Sequence, residues 1–363
     1  MPPKRMAAAR HAASDPMHTI DIALPKASYS VLAGHGALRT AAPRIAALCP
    51  ERAFVVTDET IWALHGEALS ALLRAQGIAF SVETLPPGEA TKSLDTLSGL
   101  YGAFYAAGLQ RRDPVIAFGG GVVGDVAGFA AATYMRGLPL LQIPTTLLAQ
   151  VDASVGGKVA VNLPQGKNLA GCFHQPALVV ADTALLSSLP TRESLSGMAE
   201  VVKYAAIGSS ALLSLLESGQ TGGLAEIVSL SCRCKAAFIA EDEQDTGGRR
   251  MLNFGHTFGH AIEKYHAYAT YTHGEAVAMG MGLALRAGML LGVTPESDGR
   301  RLLALMERIG LNTHVPAPLA DILPLMSGDK KNEGDTLNLV LLRGIGQPTL
   351  YPITLQTLAS CLL

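Results

Sequence analysis

Four side chains in the second half of this sequence have the types and spacing to bind a metal ion. His256 and His260 lie four residues apart in a stretch with helical periodicity, which puts both imidazoles on one helix face. His273 opens another helical stretch, and Glu200 stands in an otherwise apolar one, Gly197-Met-Ala-Glu200-Val-Val-Lys203. A single histidine is more often a hydrogen-bonded structural residue than a ligand; four such groups on largely apolar helices shift that balance. Neutral imidazole with carboxylate suits Zn2+, with a position left for substrate. Spacing alone does not say which three of the four bind. The pair is not the metalloprotease motif, because Thr257 rather than Glu follows His256.

A second constellation could hold a dinucleotide. The run Gly119-Gly-Gly121-Val-Val-Gly124-Asp125 follows the apolar strand-like segment 115–118 and leads into a small-residue helix at 125–134. Glycines admit a pyrophosphate to the backbone, and a helix N-terminus offers unpaired N–H groups and a positive dipole end. Gly119, Gly121 and Gly124 satisfy the spacing of the dinucleotide fingerprint, a pattern that tight helix packing also produces. The turn follows the third strand and has no acidic residue about 20 positions on to take a ribose. Asp58, ending an earlier strand, is better placed for that task. Pro144-Thr145-Thr146 closes the next strand, and Asp152, Lys158, Lys167 and Asn168 follow, the last three within the glycine-rich segment 156–171. Lysines among glycines suit a phosphate or another anion.

Positioning these groups requires two kinds of scaffold. Strand-like segments at 53–57, 79–84, 115–118, 140–143 and 178–181 alternate with helical ones at 61–76, 94–107 and 125–134. This predicts βαβ units and a mainly parallel, Rossmann-like sheet. Beyond about residue 187 the pattern turns helical, over 198–207, 224–241, 253–264, 275–291 and 298–309, and the next strand falls at 336–342. The fold class is therefore α/β: an N-terminal parallel-sheet nucleotide domain at 17–190, then a mainly α-helical metal and substrate domain at 191–363. Residues 1–16 are basic and Ala-rich without the apolar core of a secretory signal, and are expected to be a disordered extension.

The chain has 363 residues, 49% hydrophobic and 16% charged, with a net charge of −2. That balance offers no basic footprint for nucleic acid, so an anionic ligand must be met by a few placed Lys and Arg. The five cysteines have no zinc-finger spacing and read as free thiols of a cytoplasmic protein. Glycines and an Asp interrupt the longest apolar stretch, so no membrane span is expected.

Together the segments resemble the 3-dehydroquinate synthase family of sugar phosphate cyclases. The similarity is carried by Gly119 to Asp125, Thr133-Tyr-Met-Arg136-Gly, Ile143 to Asp152 and Ser154-Val-Gly-Gly-Lys158. It continues through Gly166-Lys-Asn168, Gly197 to Lys203, the His256/His260 helix, His273-Gly-Glu275 and Asp329-Lys330-Lys-Asn332. The resemblance implies a carbon–oxygen lyase of the shikimate pathway, which supplies aromatic amino acid biosynthesis. It would convert 3-deoxy-D-arabino-heptulosonate 7-phosphate to 3-dehydroquinate and phosphate, using NAD that is reduced and reoxidised within one turnover. It further implies one divalent ion, Zn2+ or Co2+, on Glu200, His256 and His273, leaving His260 to the substrate.

By the same resemblance, NAD contacts fall to Asp58, Glu89, Lys92, Gly121, Val122, Val123, Gly124, Asp125, Thr145, Thr146, Lys158, Lys167, Leu185 and Ser188. Substrate contacts fall to Asp152, Lys158, Asn168, Lys203, Lys235, Arg249, Asn253, His260 and Lys330. Arg136 is implied to reach the site of a partner subunit, hence a homodimer. The family usually has Arg and Glu where this chain has Gln244 and Asp245, and Thr where it has Val159. Keeping Gly124-Asp125 and His260 favours dehydroquinate over the valiolone- or inosose-type products of other cyclases. The competing enzyme class is a metal-dependent polyol or glycerol-type NAD dehydrogenase, which would consume NAD stoichiometrically.

Overall fold

The computed structural model describes residues 16–25, 27–219, 223–245, 247–328 and 336–363. Lys330 and the N-terminal extension up to residue 15 lie outside them. The chain divides into two compact units. Among the described residues, one comprises those up to Pro190 together with Gly223–Ala236; the other holds those from Thr191 to Gly219 and those from Ala237 on.

The first unit is built on a seven-stranded sheet in the order β1-β2-β9-β6-β5-β3-β4. Its strands are β1 (His18–Ala23), β2 (Ser28–Gly34), β3 (Arg52–Asp58), β4 (Ala79–Leu85), β5 (Val115–Gly119), β6 (Leu140–Pro144) and β9 (Leu178–Asp182). All neighbours pair in parallel except β1 with β2. Alternate residues of each central strand face opposite cores. Val55, Ile116, Phe118 and Leu141 join helices α1 (Ala37–Leu48) and α2 (Glu59–Ala75), whereas Phe54, Val56, Val115 and Ala117 join α3 (Leu94–Ala106) and α4 (Gly121–Thr133). Covering both faces is what makes these strands read as near-continuous apolar runs.

The chain leaves β3 for β4 on one side, then returns to place β5 on the other side of β3. The carboxyl ends of β3 and β5 therefore flank the point where the winding reverses, which is where open α/β sheets bind ligands. Asp58 ends β3 and Gly119 ends β5.

Three features differ from the sequence expectation. The antiparallel pair β1–β2 and helix α1 were not anticipated; Pro43 interrupts the helical pattern inside α1. Helix α4 begins at Gly121 rather than at residue 125, so the last part of the glycine run is helix, not loop. The glycine-rich segment, for which no strand was expected, forms an antiparallel hairpin, β7 (Lys158–Leu163) with β8 (Gly166–Phe173). There Gly171 lies so close to Val159 that a Cβ would stand 2.3 Å from its carbonyl oxygen.

The second unit holds α5 (Thr191–Ile207), α6 (Ser210–Ser218), the end of α7 (Leu224–Glu241), α8 (His256–Tyr265), α9 (His273–Leu290), α10 (Glu296–Ile309) and two short helices, α11 (Leu319–Ile322) and α12 (Leu355–Leu362). It also has a hairpin of β10 (Thr336–Leu342) and β11 (Pro348–Thr354). The second strand of that hairpin carries Pro348 and Pro352, which mask a strand in sequence. Helix α8 starts three residues later than its periodicity predicts, because residues 248–253 form a 3-10 turn and Gly255 takes φ 80°.

Glycines let α5, α8 and α9 approach backbone to backbone. A Cβ on Gly274 would stand 2.0 Å from the Ser196 carbonyl oxygen, and one on Gly280 would stand 2.1 Å from that of Gly255. Arg192 pairs with Glu275 through two hydrogen bonds of 2.8 and 2.7 Å, and Glu275 completes a capping box with Thr272. These contacts fix the first turn of α9 against the start of α5. Gly274→Ala is therefore expected to cost about 1–3 kcal/mol and to lower the melting temperature. Gly99→Ala, inside α3 with open space around it, should leave stability unchanged or raise it by up to about 1 kcal/mol. Thermal unfolding of the two variants checks the contrast.

Candidate active site

The helical unit places Glu200 on α5, His256 at the start of α8 and His273 at the start of α9, with one donor atom of each within 4.8 Å of the others. Glu200 is fully buried. Its Oε1 lies 3.4 Å from His256 Nε2 and 3.6 Å from His273 Nε2. Donor atoms on a tetrahedral ion with bonds near 2.1 Å stand about 3.4 Å apart, so these separations fit one ion held between them.

The tautomers point the same way. His256 Nδ1 faces the Phe254 carbonyl oxygen at 3.2 Å, which calls for the proton on Nδ1. With the imidazole neutral, the lone pair of Nε2 then faces a carboxylate oxygen, an approach that a bound cation would satisfy. Burial pushes the His256 pKa below its ordinary value despite Glu200, leaving the neutral, ligating form. His273 Nδ1 lies 3.6 Å from Glu263 Oε2, and Glu263 is itself buried. A carboxylate behind an imidazole fixes its orientation and raises its basicity toward a metal. Sequence reading passed over Glu263, although its position three residues after His260 puts it on the face that carries the histidines.

A second trio, His260, Glu263 and His273, has the same donor spacing but an exposed His260. It would draw on His273 Nδ1, turning Glu263 from an orienting group into a ligand. The remaining polar groups of this unit cluster near α5 and the 3-10 turn. The Lys203 ammonium meets Glu200 Oε2 and lies 4.7 Å above the Tyr204 ring. Arg249 is buried, and its Nη1 donates to the Glu243 carbonyl oxygen at 2.7 Å. Asn253 Nδ2 donates to the Arg250 carbonyl oxygen at 3.0 Å. Asp245 takes φ 59°, a left-handed conformation that Asp tolerates better than most residues.

In the sheet unit, α4 begins with Gly120 at its N-cap and no side-chain cap, so the first-turn N–H groups have no side-chain acceptor. Cβ atoms on Gly120 and Gly121 would stand 3.2 Å from Thr146 Cγ2 and 3.3 Å from Ala153 Cβ, narrowing the floor of that turn. Val123 is buried in the core and presents only its backbone there. Thr145 Oγ1 and Thr57 Oγ1, at or beside the ends of β6 and β3, are buried without a hydrogen-bond partner in the structure. An uncapped helix start beside orphaned hydroxyls at a sheet's reversal point fits a bound dinucleotide phosphate.

Other residues that the sequence resemblance assigned to the nucleotide have partners in the scaffold. Asp58 accepts from Ile61 N at 2.9 Å and caps α2. The buried Lys92 ammonium pairs with Asp125 in the first turns of α4, where burial pushes the Asp125 carboxyl up and Lys92 opposes it. Leu185 belongs to the core, and Ser188 Oγ meets His65 Nε2 at 2.8 Å. Glu89 accepts from Asn162 Nδ2. Thr146 Oγ1 accepts from the Ala149 N–H at 3.2 Å, at the start of the one-turn π-helical segment Ala149–Ala153, and Lys235 Nζ donates to both the Asp152 carbonyl and the Asp152 carboxylate in that segment. Lys158 and Asn168 are exposed on the β7–β8 hairpin and Lys167 is half-buried there. Arg136 is exposed, and with Met135 it forms two successive left-handed residues.

Residues 82–196 match the family model for the 3-dehydroquinate synthase N-terminal region, and residues 197–332 match that for the C-terminal region. The chain belongs to the 3-dehydroquinate synthase family. A 3-dehydroquinate synthase of Rhodospirillum rubrum is 46% identical over 362 residues, covering 94% of each chain. One of Caulobacter vibrioides is 45% identical over 91% of this chain and 94% of its own. Among solved structures, 2-epi-5-epi-valiolone synthase of Streptomyces hygroscopicus with NAD+ and Zn2+ bound superposes with TM-score 0.85 at 29% identity, covering 94% of this chain and 97% of that one. A 2-deoxy-scyllo-inosose synthase complexed with carbaglucose-6-phosphate, NAD+ and Co2+ gives 0.83 at 28% identity, covering 94% and 98%. An iron-containing alcohol dehydrogenase, at 17% identity and TM-score 0.68 over 95% and 98%, shares the fold alone. Synthase membership thus sets this chain apart from the dehydrogenase reading.

The two overlapping trios make different predictions about metal affinity. Glu263→Gln should weaken zinc binding about 10–100-fold, and His260→Ala should leave it unchanged, in titrations against a competing chelator. A loss in His260→Ala equal to that in His273→Ala would assign the ion to the second trio.

Proposed function

We propose that this chain carries out the reaction of its family, converting 3-deoxy-D-arabino-heptulosonate 7-phosphate to 3-dehydroquinate and phosphate. The observation that carries the reading is the convergence of Glu200, His256 and His273 at ion-binding separations in a chain of this family. No helix among the described residues is long and apolar enough to cross a membrane, and cytoplasmic biosynthetic chemistry is the setting we infer. When bound, NAD supplies a hydride acceptor that is restored within the turnover, and the divalent ion supplies Lewis acidity to substrate hydroxyls.

The residues divide the work by charge and position. Glu200, His256 and His273 hold Zn2+ or Co2+, and Lys203 offsets the second oxygen of Glu200. Arg249 and Lys235 provide fixed positive charge for the substrate carboxylate. Arg249 suits bidentate pairing, and its burial makes that charge available without a competing water shell. Lys158, Asn168, Asn253, His260 and Lys330 serve the phosphate.

For the cofactor, the N–H groups from Gly121 to Asp125 receive the pyrophosphate. Asp58, Glu89, Lys92, Thr145, Thr146, Lys158, Lys167, Leu185 and Ser188 make the remaining contacts. Proton transfer falls to Asp152, to His260 or to the departing phosphate. Lys235 Nζ donates directly to the Asp152 carboxylate.

The homodimer is proposed on the family resemblance at Arg136. Two left-handed residues in succession hold its side chain on the surface, an expensive backbone arrangement that suits a guanidinium directed at the phosphate site of a second copy. Membership of the synthase family, with relatives near 45% identity against 28–29% for the inosose and valiolone cyclases, favours dehydroquinate as product.

Incubating the purified protein with the heptulosonate phosphate, NAD and zinc should release phosphate while absorbance from NADH does not accumulate. One NADH per turnover, or no phosphate release from fully metal-loaded protein, contradicts the proposal.

A further inference from the structure

The hairpin β7–β8 contains an irregularity that joins the cofactor segment to a substrate residue. Val161 pairs with Ala170 and Leu163 pairs with Gly166, so Asn162 alone stands opposite the three residues Lys167, Asn168 and Leu169. A bulge of this kind interrupts the ladder and re-aims the side chains within it. The groups freed from the ladder are satisfied elsewhere. The Asn162 backbone N–H donates to the Lys92 carbonyl oxygen at 2.8 Å. The Asn162 side chain donates from Nδ2 to Glu89 Oε1 at 2.8 Å. Its Oδ1 accepts the backbone N–H of Asn168 at 2.9 Å. Asn168 sits at φ 54°, a conformation that needs such a fixed partner.

One half-buried amide thus holds both the carboxylate of Glu89 and the arch that carries Lys167 and Asn168. The inference rests on the assignments of Glu89 to the cofactor and Asn168 to the substrate made above. We propose that Asn162 is a positioning residue that sets Glu89 for the cofactor and Asn168 for the substrate, so that both binding steps depend on one side chain. Its two side-chain bonds run in opposite directions: an amide donates to a carboxylate while accepting from an N–H, and a carboxylate in its place can only accept.

That polarity supplies the test. Asn162→Asp keeps the shape and the acceptor for Asn168 but sets a carboxylate against Glu89. It should raise the NAD Kd measured by calorimetry about tenfold or more. It should also raise the KM for the heptulosonate phosphate, with thermal unfolding close to that of the wild type. Adding Glu89→Gln reverses donor and acceptor and restores the bond, so the double variant should bind NAD more tightly than Asn162→Asp alone. Wild-type NAD affinity in Asn162→Asp, or a double variant no better than that single one, overturns the inference. If Glu89→Ala and Asn168→Ala leave NAD Kd and KM unchanged, the underlying site assignments fail, and the inference falls with them.

Discussion

A carboxylate with no solvent exposure, Glu200, constrains the whole helical unit. An unpaired buried carboxylate is costly, so its oxygens must be met by positive or donor groups from several directions. Lys203 approaches from the same helix one turn on, and two imidazoles approach from α8 and α9. An ion among these donors would convert a set of mutually repelling lone pairs into a bonded centre. The close approach of α5, α8 and α9 at Gly274, Gly259 and Gly280 is then a geometric requirement. With side chains at those places, the helices would stand too far apart for three ligands to meet.

The sheet unit has a different feature, a helix start with no side-chain cap at the carboxyl ends of its strands. Its parallel strands bring Asp58, Gly119 and Pro144 to one edge of the sheet, and α4 starts there without a side-chain cap. The hairpin β7–β8 adds exposed cationic and amide groups, steadied through Asn162 by the segment at 89–92. The π-type turn at Ala149–Ala153 serves a similar end, since it holds the Asp152 carboxylate where Lys235 can reach it.

Much of this was legible in the sequence, for identifiable reasons. Strands buried on both faces announce themselves as apolar runs, and β10 falls at residues 336–342 as its composition predicts. Metal-binding types on apolar helices stood out because charge there is rare, yet spacing left the choice among Glu200, His256, His260 and His273 open. That choice depends on helix crossings between residues far apart in the chain. Helix α1 was hidden by Pro43, β11 by two prolines, and β7–β8 by glycines that are there for close backbone approach. Glu263 and Asn162 were passed over because each meets a candidate residue only through the fold, and no motif marks that kind of contact.

X-ray absorption at the zinc edge, on protein purified without chelator, tests the centre most directly. The account predicts two imidazole nitrogens and carboxylate oxygen at about 2.0–2.2 Å, with one imidazole lost in His273→Ala and both retained in His260→Ala. A zinc spectrum unaltered by His273→Ala, or one that loses an imidazole in His260→Ala, would contradict it.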